Sequence, residues 1–569
     1  MQLINLGAYR DAIPVFELSL ANGTYNNNLY NVTQFWLAEA FYRNNQFQRS
    51  VDINLNLALR NTNFKGNKEY ATSLYNLAYG YFKLGNFEQA ENWFQRYLNL
   101  PRGEVLYVDE ARTRLGDCQF MQRKYEQAIE NFSLVNQNNK VLKNYADYQT
   151  SIALGLKGDD AAKAGMLKSL IAEGVNNTLY PEVLYELGRT LIQTGDNSGA
   201  EFYLKELSEK FQNSHYYPKA LLELGLINLN KGQESIAIEF YKKILTTNPQ
   251  SPEAQSAVAG LENIYKDQGR AEEFLAYLDG LGMSQTKTVS ERELIVFSSA
   301  EKLFLSGNFS GAVSSLVSFL KNYPNGGKSA QAWFYLGESY LKTSKPELAL
   351  DAFMEVMKIG EESFTELATL NYARVSYQLQ NYQQAANAYS TLTRIAKLEN
   401  NRSEAIIGLM NSLFMDGQYQ NAIAEAEKAM QTNPSENDRL RIRYISGKSY
   451  FLLGERSKAL PFLTDISRNK MTPEGAECAY LIISDHFDKG DFAKVERDVY
   501  AFADSGTPQS YWLAKSFILL GDTFAERENW EQAEATYKSI IESYKPKVKD
   551  DIEEQIKMRI LKIQEKKPK

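Results

Sequence analysis

Apolar side chains recur along this chain at i, i+3, i+4 and i+7, the spacing that lines one face of an α-helix. The run Trp333, Phe334, Leu336, Tyr340 and Leu341 shows it most fully. A short turn follows such runs, usually Gly or Asn with an aromatic behind it: Gly85-Asn86-Phe87, Gly307-Asn308-Phe309, Gly417-Gln418-Tyr419, Gly490-Asp491-Phe492. Glycine there supplies the positive φ that a helix C-terminus favours. A second helix then runs to a break at Pro101, Pro249, Pro324 or Pro434. No segment alternates with period two, so the pattern predicts no sheet.

The helix pair repeats. A small residue marks each copy, from Ala12, Ser50, Ala90 and Ala128 through Ala200, Ala237, Ala312, Ala349, Ala385, Ala422, Ala459 and Val495 to Ala533, with Lys163 and Phe274 counted by position. The mean spacing is about 37 residues, which is a repeat-array signature. Two helices cross closely only where one side chain is about the size of a methyl group, so these stations are expected to be buried.

Trp333, Leu336, Gly337, Tyr340, Ala349 and Phe353 resemble the tetratricopeptide repeat, W-x2-L-G-x2-Y followed by a small residue and an aromatic. Leu221, Leu224, Gly225, Ala237, Tyr241 and Pro249 follow the same pattern, as do Phe517, Leu520, Gly521, Phe524, Trp530, Ala533 and Tyr537. The resemblance implies an all-α, right-handed superhelical solenoid of about fourteen helix-turn-helix repeats whose business is binding other proteins or peptides. The turns Tyr323-Pro324-Asn325 and Asn248-Pro249-Gln250-Ser251, in repeats longer than the family's 34, resemble bacterial cell-envelope members of the Tol–Pal-associated and outer-membrane assembly lipoprotein type. That implies a scaffold in envelope assembly or maintenance, periplasmic or associated with the outer membrane. The alternative is a cytoplasmic regulator that binds peptide signals.

The first turn, Leu6-Gly7-Ala8-Tyr9, comes too early for a full first helix, so the sequence reads as starting mid-repeat, a fragment of a longer protein. Any signal peptide or lipid anchor would then lie ahead of residue 1. Residues 548–565 carry Ile552, Ile556, Ile560 and Ile563 on one stripe and predict a capping helix, followed by the basic tail Lys566-Lys567-Pro568-Lys569. Two stretches, 157–178 and 279–292, lose the repeat's aromatic stations. The expected division is an N-terminal half over 1–279, a hinge over 280–292, a C-terminal half over 293–547 and the cap and tail over 548–569.

Composition narrows the chemistry. The 569 residues are 44% hydrophobic and 23% charged, with a net charge of −7 that argues against nucleic acid as a partner. No stretch approaches the ~18 apolar residues of a membrane span. Two cysteines and two histidines exclude a disulfide framework and a Cys/His zinc cluster. Gly327-Lys328-Ser329 ends like a phosphate-binding loop, but Asn322 stands where that loop needs its first glycine. Cys478 and His486 are about 12 Å apart along one helix, beyond reach of a nucleophile–base pair. The sequence therefore predicts no enzyme, no cofactor and no metal.

What remains is the face formed by the first helices, expected to be concave. Phe35, Glu39, Tyr75, Tyr79, Tyr148, Tyr185, Arg189, Arg374, Tyr444 and Lys448 fall on it and are the candidate partner-binding residues. Aromatic and mixed-charge side chains on a rigid wall are what extended peptides and partner helices bind. Tyr75 and Tyr79, one turn apart, are expected to be anchors free of packing duties. The family's carboxylate-clamping arrangement is not expected: Asn76 and Arg114 suit it, but Phe35, Glu39 and Glu110 stand where amide or basic groups are needed.

Overall fold

The computed structural model describes residues 1–23, 26–60, 62–101, 103, 105–173, 179–546 and 548–566. Among them lie thirty-one α-helices, two short 3-10 turns and no strand. The chain divides into two compact units, Met1–Ile264 and Tyr265–Lys569. That boundary lies inside the helix Pro252–Asp267, upstream of the stretch read as a hinge. Over 280–292 the chain forms a 3-10 turn, Ser284–Thr286, and then a capping box in which Thr288 and Glu291 bond each other's backbone N–H.

Helix pairs form because each buries its small station against its partner. Ala90, Ala128, Ala200, Ala237, Ala312, Ala349, Ala385, Ala422, Ala459 and Ala533 are all fully buried, and so are Ser50, Phe274 and Val495. Lys163 is the exception. Its aliphatic stem fills the space beside Gly155 while its ammonium meets Glu186 at 3.1 Å.

The glycine-bearing turns adopt the expected left-handed backbone, as at Gly85 (φ 73°) and Gly417 (φ 77°). The same station is left-handed without glycine at Asn45, Arg123, Ser344, Gln380 and Glu528. The geometry belongs to the repeat, and these residues carry a strain that glycine would avoid.

In each unit, successive first helices also touch each other. The helix Asn27–Arg43 meets Tyr70–Lys83, which meets Val108–Met121; in the other unit Glu362–Gln378 meets Glu399–Met415, which meets Glu436–Leu452. First helices therefore line the inner side of the curve within each unit. Second helices turn a polar stripe outward, as Glu88, Asn92 and Gln95 do beside the buried Ala90, Phe94 and Tyr97.

At the start, a short helix, Gln2–Asn5, lays Leu3 and Ile4 against the cluster of Ala12, Ile13, Leu37 and Phe41. At the other end the helix Ile552–Lys566 buries Ile552, Ile556 and Ile563 against the last pair. Lys567, Pro568 and Lys569 of the basic tail, and 174–178 of the irregular stretch 157–178, lie outside the described residues.

Candidate functional site

The inner face is a ladder. Polar side chains on one first helix bond to the next first helix at many steps, and those steps are cross-linked. In the N-terminal unit Asn76 donates to Glu39 at 2.6 Å, Tyr79 donates to Glu110 at 3.2 Å, and Arg114 donates to the Tyr79 hydroxyl at 3.0 Å. Asp117 accepts from Arg114 at 2.6 Å and from Tyr145 at 3.0 Å, and Glu182 accepts from Tyr148 at 2.9 Å. In the C-terminal unit Tyr335 donates to Glu301 at 3.2 Å, Asn371 to Glu338 at 2.5 Å and Arg441 to Asn411 at 3.0 Å.

The candidate residues sort into three groups against this ladder. Phe35, Tyr75, Tyr148 and Tyr444 are buried, which corrects the expectation of free aromatic anchors. Phe35 packs with Leu57, Phe64 and Trp36. Tyr75 is enclosed by the rings of Tyr79, Phe94, Tyr97 and Tyr107, with centroids 5.1–6.1 Å away. Burial, with Glu110 beside it, pushes its hydroxyl far above the ordinary tyrosine range. The physical reason is that the second helix of the same pair and the linker after it close over the ring, as Leu57 and Phe64 do for Phe35 and as Phe94, Tyr97 and Tyr107 do for Tyr75.

A second group is exposed in part but already spent. Glu39 accepts from Asn76 and from Arg43, the latter at 2.8 Å. Tyr79 serves Glu110 and Arg114 together. Arg374 grips Glu404 with two bonds of 2.5 Å. Lys448 reaches Glu477 at 2.8 Å and the Tyr444 hydroxyl at 3.1 Å, and Tyr444 itself donates to Glu477.

Tyr185 and Arg189 form the third group. Tyr185 lies tilted against Tyr216 with ring centroids 5.3 Å apart, and the Arg189 and Lys219 cations sit over its ring at 6.0 and 5.9 Å. Arg189 is exposed, and no carboxylate among the described residues pairs with it. Glu223, on the adjoining helix Tyr217–Asn230, likewise has no hydrogen bond or ion pair there. Burial raises its carboxyl above the ordinary range, which Arg189 only partly opposes. Sequence reading missed Glu223 as a site residue and used Tyr241 only as a marker of the repeat. The available signal was a tyrosine with glycine at the facing station of both neighbouring first helices, Gly225 and Gly260.

The remaining chemistry is inert. Cys118 and Cys478 are free and buried, and burial pushes both thiols up, Cys478 to about 12, away from the reactive thiolate. His486 Nε2 lies 3.4 Å from Asp498 on the following helix. At the Gly327-Lys328-Ser329 turn, the Lys328 N–H donates to Glu293 at 3.1 Å, so a carboxylate sits where a phosphate would have to. Among the described residues there is no group of His, Cys, Asp and Glu arranged to hold a metal, and no helix long and apolar enough to cross a membrane.

Comparison with known proteins recognises the repeat in three segments of the chain. Residues 185–252 and 303–361 match one tetratricopeptide-repeat family model, and residues 71–103 match a second. The chain carries tetratricopeptide repeats, a module through which proteins bind other proteins. No curated protein matches the sequence. Among solved structures, the chain is similar to Naa15/Naa10 bound to HypK-THB, at 12% identity over 99% of this chain and 95% of that one, with a TM-score of 0.32. It is similar to the C-terminal part of a TPR repeat-containing protein from Cytophaga hutchinsonii, at 14% identity over 52% and 98%, TM-score 0.34. A third is PilW, a widely conserved type IV pilus biogenesis factor, at 17% identity over 41% and 100%, TM-score 0.31.

Proposed function

We propose that this protein is a non-catalytic scaffold that holds an extended peptide or a partner helix along the first-helix face of its N-terminal unit, in the assembly or maintenance of a bacterial cell envelope. The observation that carries the binding reading is the contrast on the inner face itself. Its other candidate side chains are engaged in rungs or buried, whereas Tyr185, Arg189 and Glu223 offer an aromatic surface and charges of both signs that no neighbour neutralises by direct contact. Such groups, set on stacked helices, meet a partner with little ordering left to do. The envelope reading is supported by the longer repeats and the Pro-Asn and Pro-Gln-Ser turns.

A photo-crosslinking amino acid placed at Arg189 and, separately, at Asn92 on the outer stripe tests the binding reading in the native host. A discrete cross-linked polypeptide from position 189 and none from position 92 is the expected result. Cross-links from position 92 alone, or from neither, would contradict it. Fractionation of the same cells is expected to place the protein with the envelope; recovery in the cytosol alone would remove that part of the proposal.

A further inference from the structure

A tyrosine recurs in the second helices with its ring pressed against a glycine of a first helix. Tyr241 is held between Gly225 and Gly260, where an added Cβ would lie 2.3 or 2.7 Å from the ring, and Tyr537 lies against Gly521 at 2.3 Å. Each ring is thereby threaded from the outer layer toward the inner face. At Tyr537 the hydroxyl is used: it donates to Asp522 at 2.6 Å, and Asp522 also accepts from Arg559 at 2.8 and 3.0 Å. At Tyr241 it is sealed in the interior.

Tyr389, on the helix Tyr382–Ile395, occupies the same station, with a Cβ on Gly408 2.5 Å from its ring, yet its hydroxyl is neither used nor sealed. The position that Asp522 holds relative to Tyr537 is filled, relative to Tyr389, by Arg374, which turns away to Glu404. Tyr389 is only 5% exposed, and its hydroxyl bonds to no described residue. It opens on a cavity of about 400 Å³ shared with Glu404, Ile407, Asn411 and Asp438. Burial, with Glu404 beside it, pushes the hydroxyl up to about 12, so at neutral pH it keeps its proton and is a donor without an acceptor.

The other groups around the cavity have capacity to spare. Asn411 accepts from Arg441 at 3.0 Å. Arginine only donates, so this contact fixes the amide with its oxygen toward Arg441 and leaves the NH2 group with no described partner. Asp438, half-buried at the start of the helix Glu436–Leu452, takes the Ser435 hydroxyl on one oxygen at 2.6 Å and pairs with no described cation. Glu404 is committed to Arg374, and no basic residue lines the cavity. A bound cation would suit Asp438 but leave the Tyr389 O–H and the Asn411 NH2 without an acceptor. An anion would suit those two donors but face Asp438. Only a group with an acceptor and a donor side by side suits all three.

We infer that this recess binds a carboxamide side chain, glutamine or asparagine, of a partner peptide. The amide oxygen accepts from the Tyr389 O–H and the Asn411 NH2, the amide NH2 donates to the free oxygen of Asp438, and Ile407 borders the methylene stem. A projecting side chain is required, because a backbone lying along the inner face would not reach a hydroxyl on a residue this buried. The inference rests on the protein-binding part of the scaffold reading. It extends that reading to the C-terminal unit and names the chemistry selected there.

Selection of a phage-displayed random nonapeptide library on the immobilised full chain tests it, with an excess of the soluble Tyr389→Phe chain as competitor so that retained peptides are those that need the hydroxyl. The expected result is enrichment of glutamine or asparagine at one fixed position. The corresponding synthetic peptide should lose about tenfold or more in affinity when that residue becomes the matching acid, which Asp438 repels, or methionine, which bonds to none of the three groups. Asp438→Asn should recover much of the binding of the acid-bearing peptide. Tyr389→Phe should melt with wild type, since its hydroxyl joins nothing in the fold; a clear drop would make that hydroxyl structural and overturn the recess. Enrichment of lysine or arginine, enrichment of acidic residues, or no enrichment would each overturn it as well. The cross-linking from position 189 decides the scaffold reading of the N-terminal unit independently of these outcomes.

Discussion

The step at Asp522 and the step at Glu223 are built from similar parts and end differently. At Asp522, carboxylate, tyrosine and arginine close on one another within hydrogen-bond distance. At Glu223, the carboxylate and the tyrosine hydroxyl have no bond to anything described, and the arginine of that step stays in solvent. The lesson is that residues on the inner face of a repeat array have two uses. A closed rung joins one repeat to the next and spends its polar groups in doing so. An open rung contributes little to stability and leaves its polar groups unspent.

The largest expected effect falls on a closed, aromatic part of the ladder. Tyr75→Ala with Tyr79→Ala removes enclosed rings and the bonds to Glu110 and Arg114, and should cost about 3–5 kcal/mol or more by chemical denaturation. Tyr185→Ala, at the open step, should cost about 1 kcal/mol. Equal losses would break the distinction between the two kinds of step.

Next comes a probe of the threaded tyrosine. Gly225→Ala drives a methyl into the Tyr241 ring, and Gly521→Ala does the same to Tyr537. Each should cost about 1–3 kcal/mol, with Gly521→Ala the worse because displacing Tyr537 also breaks its bond to Asp522. The comparison is sharpened if the two differ by about 1 kcal/mol, the net worth of such a bond.

Two carboxylates shifted in opposite directions, Glu223 on the inner face and Glu91 on the second helix Phe87–Leu98, predict opposite responses to pH. Burial raises the Glu223 carboxyl in the folded protein, so its contribution is fully present below the unfolded-state value and is lost as pH rises through the raised value. Glu223→Gln should therefore gain on wild type as pH rises through that window. For Glu91, burial pushes upward, but bonds from Lys124, Gln119 and Gln122 outweigh it and hold the carboxyl below its ordinary value. Its contribution is present above the unfolded-state value and is lost as pH falls through the lowered one, so Glu91→Gln should lag wild type at neutral pH and draw level in acid. Melting curves across the acidic range check both signs.

The smallest effect concerns turns that lack glycine. Gln380 holds φ 63° and Arg123 holds φ 61°. Relief of about 1–2 kcal/mol of left-handed strain, offset by about 0.5–1 kcal/mol of added chain entropy, makes Gln380→Gly and Arg123→Gly stabilising by up to about 1 kcal/mol each. Unchanged or lower melting temperatures would show that these side chains earn their place by some other contact.

These cases show which parts of the architecture were legible in the sequence. Ala90, Ala237 and Ala349 could be read as buried because the crossing of two helices there leaves room only for a methyl group, and that constraint recurs in most copies. The left-handed turn at Gln380 was less visible, because the geometry is imposed by the repeat and no glycine announces it. The state of the inner face was hidden for a different reason. Whether Tyr75 packs, Arg374 pairs or Arg189 stays free depends on which side chain the neighbouring repeat presents some 30–37 positions away, as with Arg374 to Glu404 and Asn76 to Glu39. Helical spacing placed these residues on the correct face, but could not say which of them had already found partners.

The comparison that opened this section can be tested by melting two isosteric variants of the full chain side by side. Asp522→Asn keeps the shape of a closed rung but removes the charge on which Arg559 depends, and it should lower the unfolding midpoint, at a cost of about 2 kcal/mol. Glu223→Gln keeps the shape of the open rung and removes an unpaired, half-buried charge, and at neutral pH it should leave the midpoint at or above that of wild type. A drop on Glu223→Gln as large as that on Asp522→Asn would contradict the account, because Glu223 would then be holding the repeats together and not left unspent.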